Sequence, residues 1–586
     1  MFGPGRRRAL AVAGCVILAM LGSADPAPAQ STSNGLPLPP GNVISGPVFR
    51  RNGSSVPAIA TGANANLYLN LAPPTEAFTP PAPALAIRTT APTQYVRAYT
   101  AGVTNPVGGF VAGSDAVRGL NAAQIRDVLA LPFLPDSLTI VQIPAGTCMI
   151  IGQAAPILGN FAANPPGIPT AGPWGRGGAM QASLIGISSN PGCAGPQFVP
   201  AANFINQQPI GTSALSYRLR AGIGNSVAVA GALELATPPA LFSDMDGIYN
   251  SLDLLNIGDP APLQSALAQL DGEVHADTPT VEIEAARAFL GVLHSQMRHG
   301  HDRVASDAPL QQWISGIGGG GGIAGSGDRH GVSYAMGGVA AGIEHRFNPD
   351  FKLGVAVGYL GGGYGTHGLS GSGNLNTLST ALYASFTPGN WYVDAALGYG
   401  YGFGTLGRSI VFPGVARVAA SNTSANELLS SAEAGHRIPL GEHTALTPFA
   451  ALQGIAVLQN GLTETGAGAV DLNVQRQVTW SARGILGAEL SHDLPVGLPM
   501  PLLLTLRAGW AHEFANPSRG VTAGFVGLPG ATFTVHGAAV PRDAAVAGIG
   551  ASLAVQPSID VFLRYDGALA SGASTQAGSA GLRFAF

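Results

Sequence analysis

From about residue 309 onward, apolar positions alternate with small or polar ones in segments of about ten residues, separated by Gly, Pro, Asn or Asp. The clearest are "VSYAMGGVAAGIEHRF" (332–347), "FKLGVAVGYLGGGYG" (351–365), "NLNTLSTALYASF" (374–386) and "NWYVDAALGYGYGFG" (390–404). "TALTPFAALQGIAVL" (444–458), "PLLLTLRAGWAHEF" (501–514) and "IDVFLRYDGALA" (559–570) repeat the pattern. In "FKLGVAVGYLG", Phe351, Leu353, Val355, Val357 and Tyr359 share one face, with Lys352, Gly354, Ala356, Gly358 and Leu360 opposite. The last residues follow suit, Leu582, Phe584 and Phe586 alternating with Gly581, Arg583 and Ala585. A period of two is strand periodicity. A soluble β-sandwich alternates in this way too. Here the strands are long and evenly repeated, charge is scarce on the apolar faces, and Tyr334, Phe347, Phe386, Trp391, Tyr392 and Trp510 gather near segment ends. That pattern predicts a transmembrane β-barrel of about 12 antiparallel strands over 309–586, with an apolar outer band between aromatic girdles. Glu344, Arg346, Asp394, Arg437, Arg483, Arg507, Arg564 and Asp566 are then expected inside or at the rims, because an Arg facing lipid at the midplane costs about 2–4 kcal/mol.

Before the barrel the period changes. In 263–298, Ala285, Ala288, Phe289, Val292 and Leu293 recur at helical spacing. Thr278 is the expected cap and Pro279 the expected first turn. A helix that feeds straight into a barrel has the lumen available to it. Segment 94–250 reads as a small α+β domain: a strand at "YVRAY", a short helix in "LNAAQIRDVLALP" stopped by Pro132, and a strand and turn in "SLTIVQIPAGT". Segment 30–93 is rich in Pro, Ala, Ser and Asn and reads as an extended, disordered leader.

The N-terminus changes the setting. Arg6, Arg7 and Arg8 precede the apolar run "ALAVAGCVILAML", and "APA" at 27–29 forms a small-residue cleavage site, so 1–29 reads as an export signal. "VAGC" at 12–15 offers a lipoprotein processing site instead, but leaves only Ala9 to Gly14 as the apolar run, so simple cleavage is preferred. Beyond the signal, Cys148 and Cys193 remain, and in an oxidising compartment they are a candidate disulfide, the alternative being two buried thiols.

Composition narrows the classes further. Charged residues are 10% of the chain, well below the roughly 25% of ordinary soluble domains. A hydrophobic fraction of 46%, beside 83 Gly and 45 Pro, argues against wholesale disorder. Net charge is −4 with no basic run beyond the N-terminus, which excludes a nucleic-acid partner. After the signal no uninterrupted apolar run is long enough for a helical span.

The whole arrangement resembles the type V autotransporters: signal, exported passenger, linker helix, and a C-terminal translocator barrel ending in Phe. "ALAQLDGEVHA" (266–276) is similar to the segment that commonly precedes such a barrel, and "AAVPRDAAVAGIGASLAV" (538–555) and "DVFLRYDGALASG" (560–572) are similar to its last strands. The resemblance implies an outer-membrane barrel whose lumen holds the helix, with outer-membrane lipid and the barrel-assembly machinery as partners. It implies that Leu582, Phe584 and Phe586 are the assembly signal, and that the passenger meets an unknown ligand at the cell surface, in surface binding or adhesion. Some members cut their own linker by asparagine chemistry. Here there is no Asn between Asn256 and Asn348, so the passenger is expected to stay attached.

The passenger's chemistry is bounded by what it lacks. The first histidine of the chain is His275 and its one lysine is Lys352. A Ser–His–Asp site, a His-ligated metal and a lysine nucleophile are therefore all excluded from 94–250. No repeat of 20 to 50 residues marks a β-solenoid. No metal and no cofactor are expected. One alternative remains. The order of "YVRAY", "IPAGT" and "GRGGAMQ" resembles small NAD-glycohydrolase toxin domains. On that resemblance Arg97 would hold a phosphate of NAD and Gln181 would sit at the scissile glycosidic bond, although Ala182 stands where an aromatic is expected.

Overall fold

A computed structural model describes residues 41–43, 48–51, 54–57, 59–71, 76–158, 173–184, 199–240, 243–302, 309–327, 329–495, 502–556 and 558–586. The expected export signal and Cys193 lie outside the described residues.

The alternating segments become twelve long strands: Leu310–Ile323, Val332–Asn348, Phe351–Thr366, Gly371–Phe386, Trp391–Phe412, Val415–His436, Thr444–Gln459, Gln477–Leu494, Leu502–Glu513, Asp543–Gln556, Ile559–Ala570 and Ala573–Ala585. Each pairs antiparallel with its neighbours in sequence, with the two-residue piece Ile438–Pro439 added at one end. The ring closes where Leu310–Ile323 meets Ala573–Ala585, in a register that sets Ile314 opposite Leu582 and Trp313 opposite Arg583. Closure leaves no strand edge, so every ladder donor and acceptor is satisfied within the barrel.

The predicted faces are the observed ones. Val355, Val357, Leu382, Leu397, Leu452, Leu506 and Leu563 all point outward and are exposed. A soluble protein rarely leaves an apolar band of this extent uncovered, which removes the sandwich reading. Phe347, Phe386, Trp391 and Trp510 lie on the outer surface, as a girdle requires. Tyr334 and Tyr392 do not. Both turn inward, where the Tyr334 hydroxyl meets Thr575 Oγ1 at 2.9 Å and the Tyr392 hydroxyl donates to Glu433 Oε1 at 2.9 Å. One end of the barrel carries short turns, the other the long connections 460–476 and 514–542; these are called the turn end and the loop end below.

The N-terminal part is an eight-stranded antiparallel sheet in the order Gly41–Val43, Ala84–Thr89, Cys148–Gln153, Met180–Ser183, Phe110–Ala112, Thr93–Tyr99, Ser137–Ile143 and Phe204–Pro209. Helices α1 (Gly62–Leu69) and α2 (Ala122–Leu129) accompany it. The Asn121 side chain caps α2, and Gln124 returns the bond in a capping box. The expected leader is thus too generous. Residues 62–69 and 84–89 are integral to the sheet, because Tyr68, Ala84 and Ala86 bury with Cys148 and Ile150 in one cluster. Cys148 is disulfide-bonded.

Three further helices, α3 (Asn225–Leu235), α4 (Asp244–Leu255) and α5 (Ala261–Leu270), sit on the loop end. They share a core with Ile410, Phe412, Val415 and Ala419 of the two longest strands and with Leu472, Val521 and Val535 of the long connections. Those two strands have 22 residues each, about twice what a crossing needs, and the surplus is what the helices pack upon. Asn225 fastens α3 by two 2.9 Å bonds, one to the carbonyl of His536 and one from its amide.

Candidate functional site

The lumen is filled by α6 (Glu273–Asp302), 30 residues long and so about 45 Å from end to end. It was expected to begin at Thr278 and Pro279. Instead Gly272, at φ +70°, breaks the chain after α5 and α6 starts at Glu273, with Pro279 inside it. The Thr278 hydroxyl does not cap; it bonds the Val274 carbonyl at 3.0 Å and meets the Tyr364 hydroxyl at 2.7 Å.

Ile283, Ala286, Leu290, Leu293 and Met297, spaced by three and four, lie against Ile317, Ala340, Ala356, Leu360, Ala396 and Leu429 of the wall. That wall is small where the helix is large. A Cβ at Gly358 would stand 2.7 Å from the Phe289 ring, so the glycine there lets the helix approach the wall closely. We predict that Gly358→Leu displaces α6, with overpacking costing about 1–3 kcal/mol. Crosslinking a cysteine pair across the helix and wall should fall severalfold, while the barrel's heat-modifiable gel shift persists. Unchanged crosslinking would count against the contact.

Ion pairs hold α6 at both ends. At the loop end, Glu464 accepts two bonds from Arg408, at 2.8 and 2.7 Å, and meets His275 Nε2 at 2.8 Å. Glu273 takes the His330 amide at 2.8 Å and the His330 ring at 2.9 Å, closing the connection 324–331 over the start of the helix. Near the turn end, Arg298 lies 3.7 Å from Glu433 and 3.7 Å from Glu489, and Arg507 reaches the same two carboxylates at 2.6 and 3.5 Å. Arg583 donates to Gln296 Oε1 at 2.6 Å, so it faces inward as the alternation requires, while Leu582, Phe584 and Phe586 lie on the outward side. Between α6 and the barrel wall, from the strand Gln477–Leu494 round through Ala573–Ala585 to Leu310–Ile323, runs a cavity of about 240 Å³ with Arg287, Arg483, Arg507 and Arg564 in its lining.

The His330 contact has a pH signature. Its hydrogen bond to Glu273, followed by the charges of Glu273, Asp271 and Asp277, holds the imidazole above its ordinary value of 6.5. A raised folded pKa stabilises the closed connection fully below about pH 6.5 and loses that contribution as the pH rises through the folded value. Protection of the amides of 329–331, corrected for intrinsic exchange, should therefore fall on going from mildly acid to alkaline pH. The same fall in His330→Gln would refute this assignment.

In the passenger the two residues singled out for NAD chemistry are set apart. Arg97 sits in the strand Thr93–Tyr99, donating to the Phe110 carbonyl at 2.8 Å and the Asn105 carbonyl at 3.4 Å. Gly108 lies flat against its guanidinium, for a Cβ there would stand 2.1 Å from Cζ. Burial lowers the pKa of this arginine. Gln181 donates to the Ala77 carbonyl at 2.5 Å. Register places Val96 opposite Ala112, and Ala112 opposite Gln181. Gln181 therefore shares the Val96 face, and Arg97 lies on the other. Arg176, also in the Gly-rich segment, pairs with Asp127 of α2 at 2.6 Å.

Sequence reading set Glu282, with Glu284, near the positive end of the helix dipole and nothing more, and missed Glu427, Glu433, Glu489 and Arg298 in the lumen and Glu464 at its loop end. The available signal was position: Glu427 and Glu433 both belong to the inward-facing set of Val415–His436, where any carboxylate must find a partner.

Comparison with known proteins places the barrel. Residues 312–566 match the family described as the autotransporter β-domain. An extracellular serine protease of Serratia marcescens is 25% identical over 366 residues, 61% of this chain and 34% of that protein. Esterase EstA of Pseudomonas aeruginosa is 26% identical over 264 residues, 43% of this chain and 39% of that protein. This chain thus spans little more than a third of the length of these relatives. Among solved structures, the translocator domain of the autotransporter NalP from Neisseria meningitidis aligns with a TM-score of 0.42 and 17% identity, covering 52% of this chain and 98% of that one. The β-domain of the Bordetella autotransporter BrkA aligns at 0.36 and 17%, covering 47% and 100%. With its twelve-stranded barrel and its match over 312–566, this chain carries an autotransporter β-domain, which implies an outer-membrane location.

Proposed function

We propose that the barrel carries the N-terminal sheet domain across the outer membrane, then anchors and displays it at the cell surface as a binding module. The observation that carries this reading is the path of α6. It spans the lumen from His275 beside the loop-end residue Glu464 to His299, which meets Asp560 at 3.0 Å near the turn end, so the chain before it emerges on the side of the long loops. In outer-membrane barrels long loops face outward and short turns the periplasm. Outer-membrane lipid meets the apolar band, and the barrel-assembly machinery reads the strand that carries Leu582, Phe584 and Phe586.

A binding role fits the passenger better than hydrolysis of NAD. Arg97 is engaged by two backbone carbonyls and covered by Gly108, and Gln181 occupies the opposite face of the sheet. Protease treatment of intact cells tests display: the sheet domain should be digested from outside while the barrel survives. A passenger resistant in intact cells and digested only after lysis refutes surface exposure. Incubating the purified full chain with NAD tests the other arm. Release of nicotinamide that disappears in Gln181→Ala would replace binding with catalysis.

A further inference from the structure

Most carboxylates in the lumen are paired, and two have no hydrogen-bond partner among the described residues. Glu282 of α6 and Glu427 of the strand Val415–His436 are 1% and 0% exposed, and neither carboxylate has a hydrogen-bond partner among the described residues. They converge. A Cβ at Gly402 would stand 3.1 Å from Glu282 Oε1 and 3.4 Å from Glu427 Oε1, and one at Gly400 would stand 2.6 Å from Glu427 Oε2. The two glycines thus form a floor beneath both carboxylates.

The next strand over supplies hydroxyls at the same levels. Thr377 is in register with Gly402, and Ser379 with Gly400. Both face the lumen, at 1% and 2% exposure, and both hydroxyls also lack a partner. With no side chain on either glycine, Thr377 and Ser379 look across the floor toward Glu282 and Glu427. Arg287, Arg298 and Lys352 pair with other carboxylates: Arg287 with Glu284 and Glu513, Arg298 with Glu433 and Glu489, Lys352 with Glu344.

Two carboxylates in such a place cannot both stay ionised without compensation, since burying one uncompensated ion costs several kcal/mol. We propose that Glu282, Glu427, Thr377 and Ser379 form an oxygen-lined site for one calcium ion, which joins α6 to the barrel wall. The four side chains offer six unpartnered oxygens, and calcium takes 6–8 oxygen ligands with flexible geometry. The absence of nitrogen and sulfur from the set fits a hard cation and not zinc or copper. No third His, Cys, Asp or Glu completes a cluster among the described residues, so the hydroxyls are essential to the coordination.

The test uses the full chain, refolded in detergent with excess calcium chloride, desalted, and assayed for metal by mass spectrometry. About one calcium per chain is expected, falling at least tenfold in Glu282→Gln/Glu427→Gln. Folding of each variant is read from the heat-modifiable gel shift. If the carboxamide pair does not assemble, Thr377→Val/Ser379→Ala keeps both charges and should still lose most of the calcium. A wild-type chain that retains none overturns the site, and the two carboxylates are then neutralised by protons. Equal calcium in the wild type and in a folded variant overturns it as well.

Discussion

Glu433→Ala is expected to open the lumen. Glu433 accepts bonds from Arg507 at 2.6 and 3.1 Å and from the Tyr392 hydroxyl at 2.9 Å, and it lies 3.7 Å from Arg298. It is 3% exposed, and Arg507 lies over the Phe449 ring at 3.3 Å. Removing this carboxylate leaves two buried guanidinium groups to share Glu489. Breaking a buried pair by deleting one partner costs about 3–5 kcal/mol, because the remaining charge is uncompensated. Arg298 is the α6 member of the set, so the cost falls on the helix's seat in the wall. The strand ladders do not depend on it. The population with the helix displaced should rise by roughly 10²-fold to several thousand-fold. In planar bilayers, purified Glu433→Ala should conduct several times more than the wild type, and cells carrying it should take up large antibiotics. Glu433→Gln keeps an acceptor for Tyr392 and lacks the charge, so it separates electrostatics from hydrogen bonding. Wild-type conductance in both variants would show that the four-charge set does not hold the helix.

This expectation depends on contacts that the sequence did not show, and the reason is physical. Barrel strands were legible because two constraints act on every residue: lipid on one side and a lumen on the other, with turns at regular intervals. That is why Arg583 could be turned inward from alternation alone. Tyr334 and Tyr392 were placed in the girdle because aromatics near segment ends usually belong there, yet each lies in the inward register and its hydroxyl has a lumen partner. The start of α6 was misread because Pro279 is a familiar first-turn residue. Inside a barrel the wall packs the helix all round, and Ile283, Phe289 and Val292 on different faces are all buried. The ion pairs join residues such as Arg298 and Glu489, which no local period connects. In the passenger, the strand Ala84–Thr89 was hidden in a Pro-rich stretch, since its partners at Cys148–Gln153 lie some sixty residues away.

Arg118→Ala should unfold the joint between the passenger sheet and the barrel. Arg118 follows the short turn Ser114–Ala116 and donates to Asp253 of α4 through Nε, at 3.1 and 2.9 Å, and a terminal nitrogen at 2.6 Å. The Tyr217 hydroxyl donates to the same carboxylate at 2.7 Å, and the guanidinium lies 4.6 Å over the Tyr249 ring. Asp253 is fully buried, and its charge and its hydrogen bond hold Arg118 above its ordinary value against the opposing effect of burial. Burial, together with Asp253, also pushes the Tyr249 phenol up to about 12, so it stays neutral at any physiological pH. Alanine at 118 would leave Asp253 uncompensated, at a cost of about 3–5 kcal/mol. That is a large part of the 5–15 kcal/mol that holds an ordinary domain together. Because α4 also carries Asp244, which pairs with Arg417 of the barrel, loss at Asp253 loosens the link on both sides. Hydrogen exchange on the full chain should show α4 and residues 114–121 losing protection together, with the strand ladders of the barrel unchanged. Arg118→Lys should recover only part of it, since one ammonium cannot reproduce the paired donors of a guanidinium. Arg118→Met with Asp253→Leu removes both charges and should lie much nearer the wild type than Arg118→Ala. If Arg118→Ala and that double variant exchange alike, the pair contributes shape alone and the electrostatic account fails.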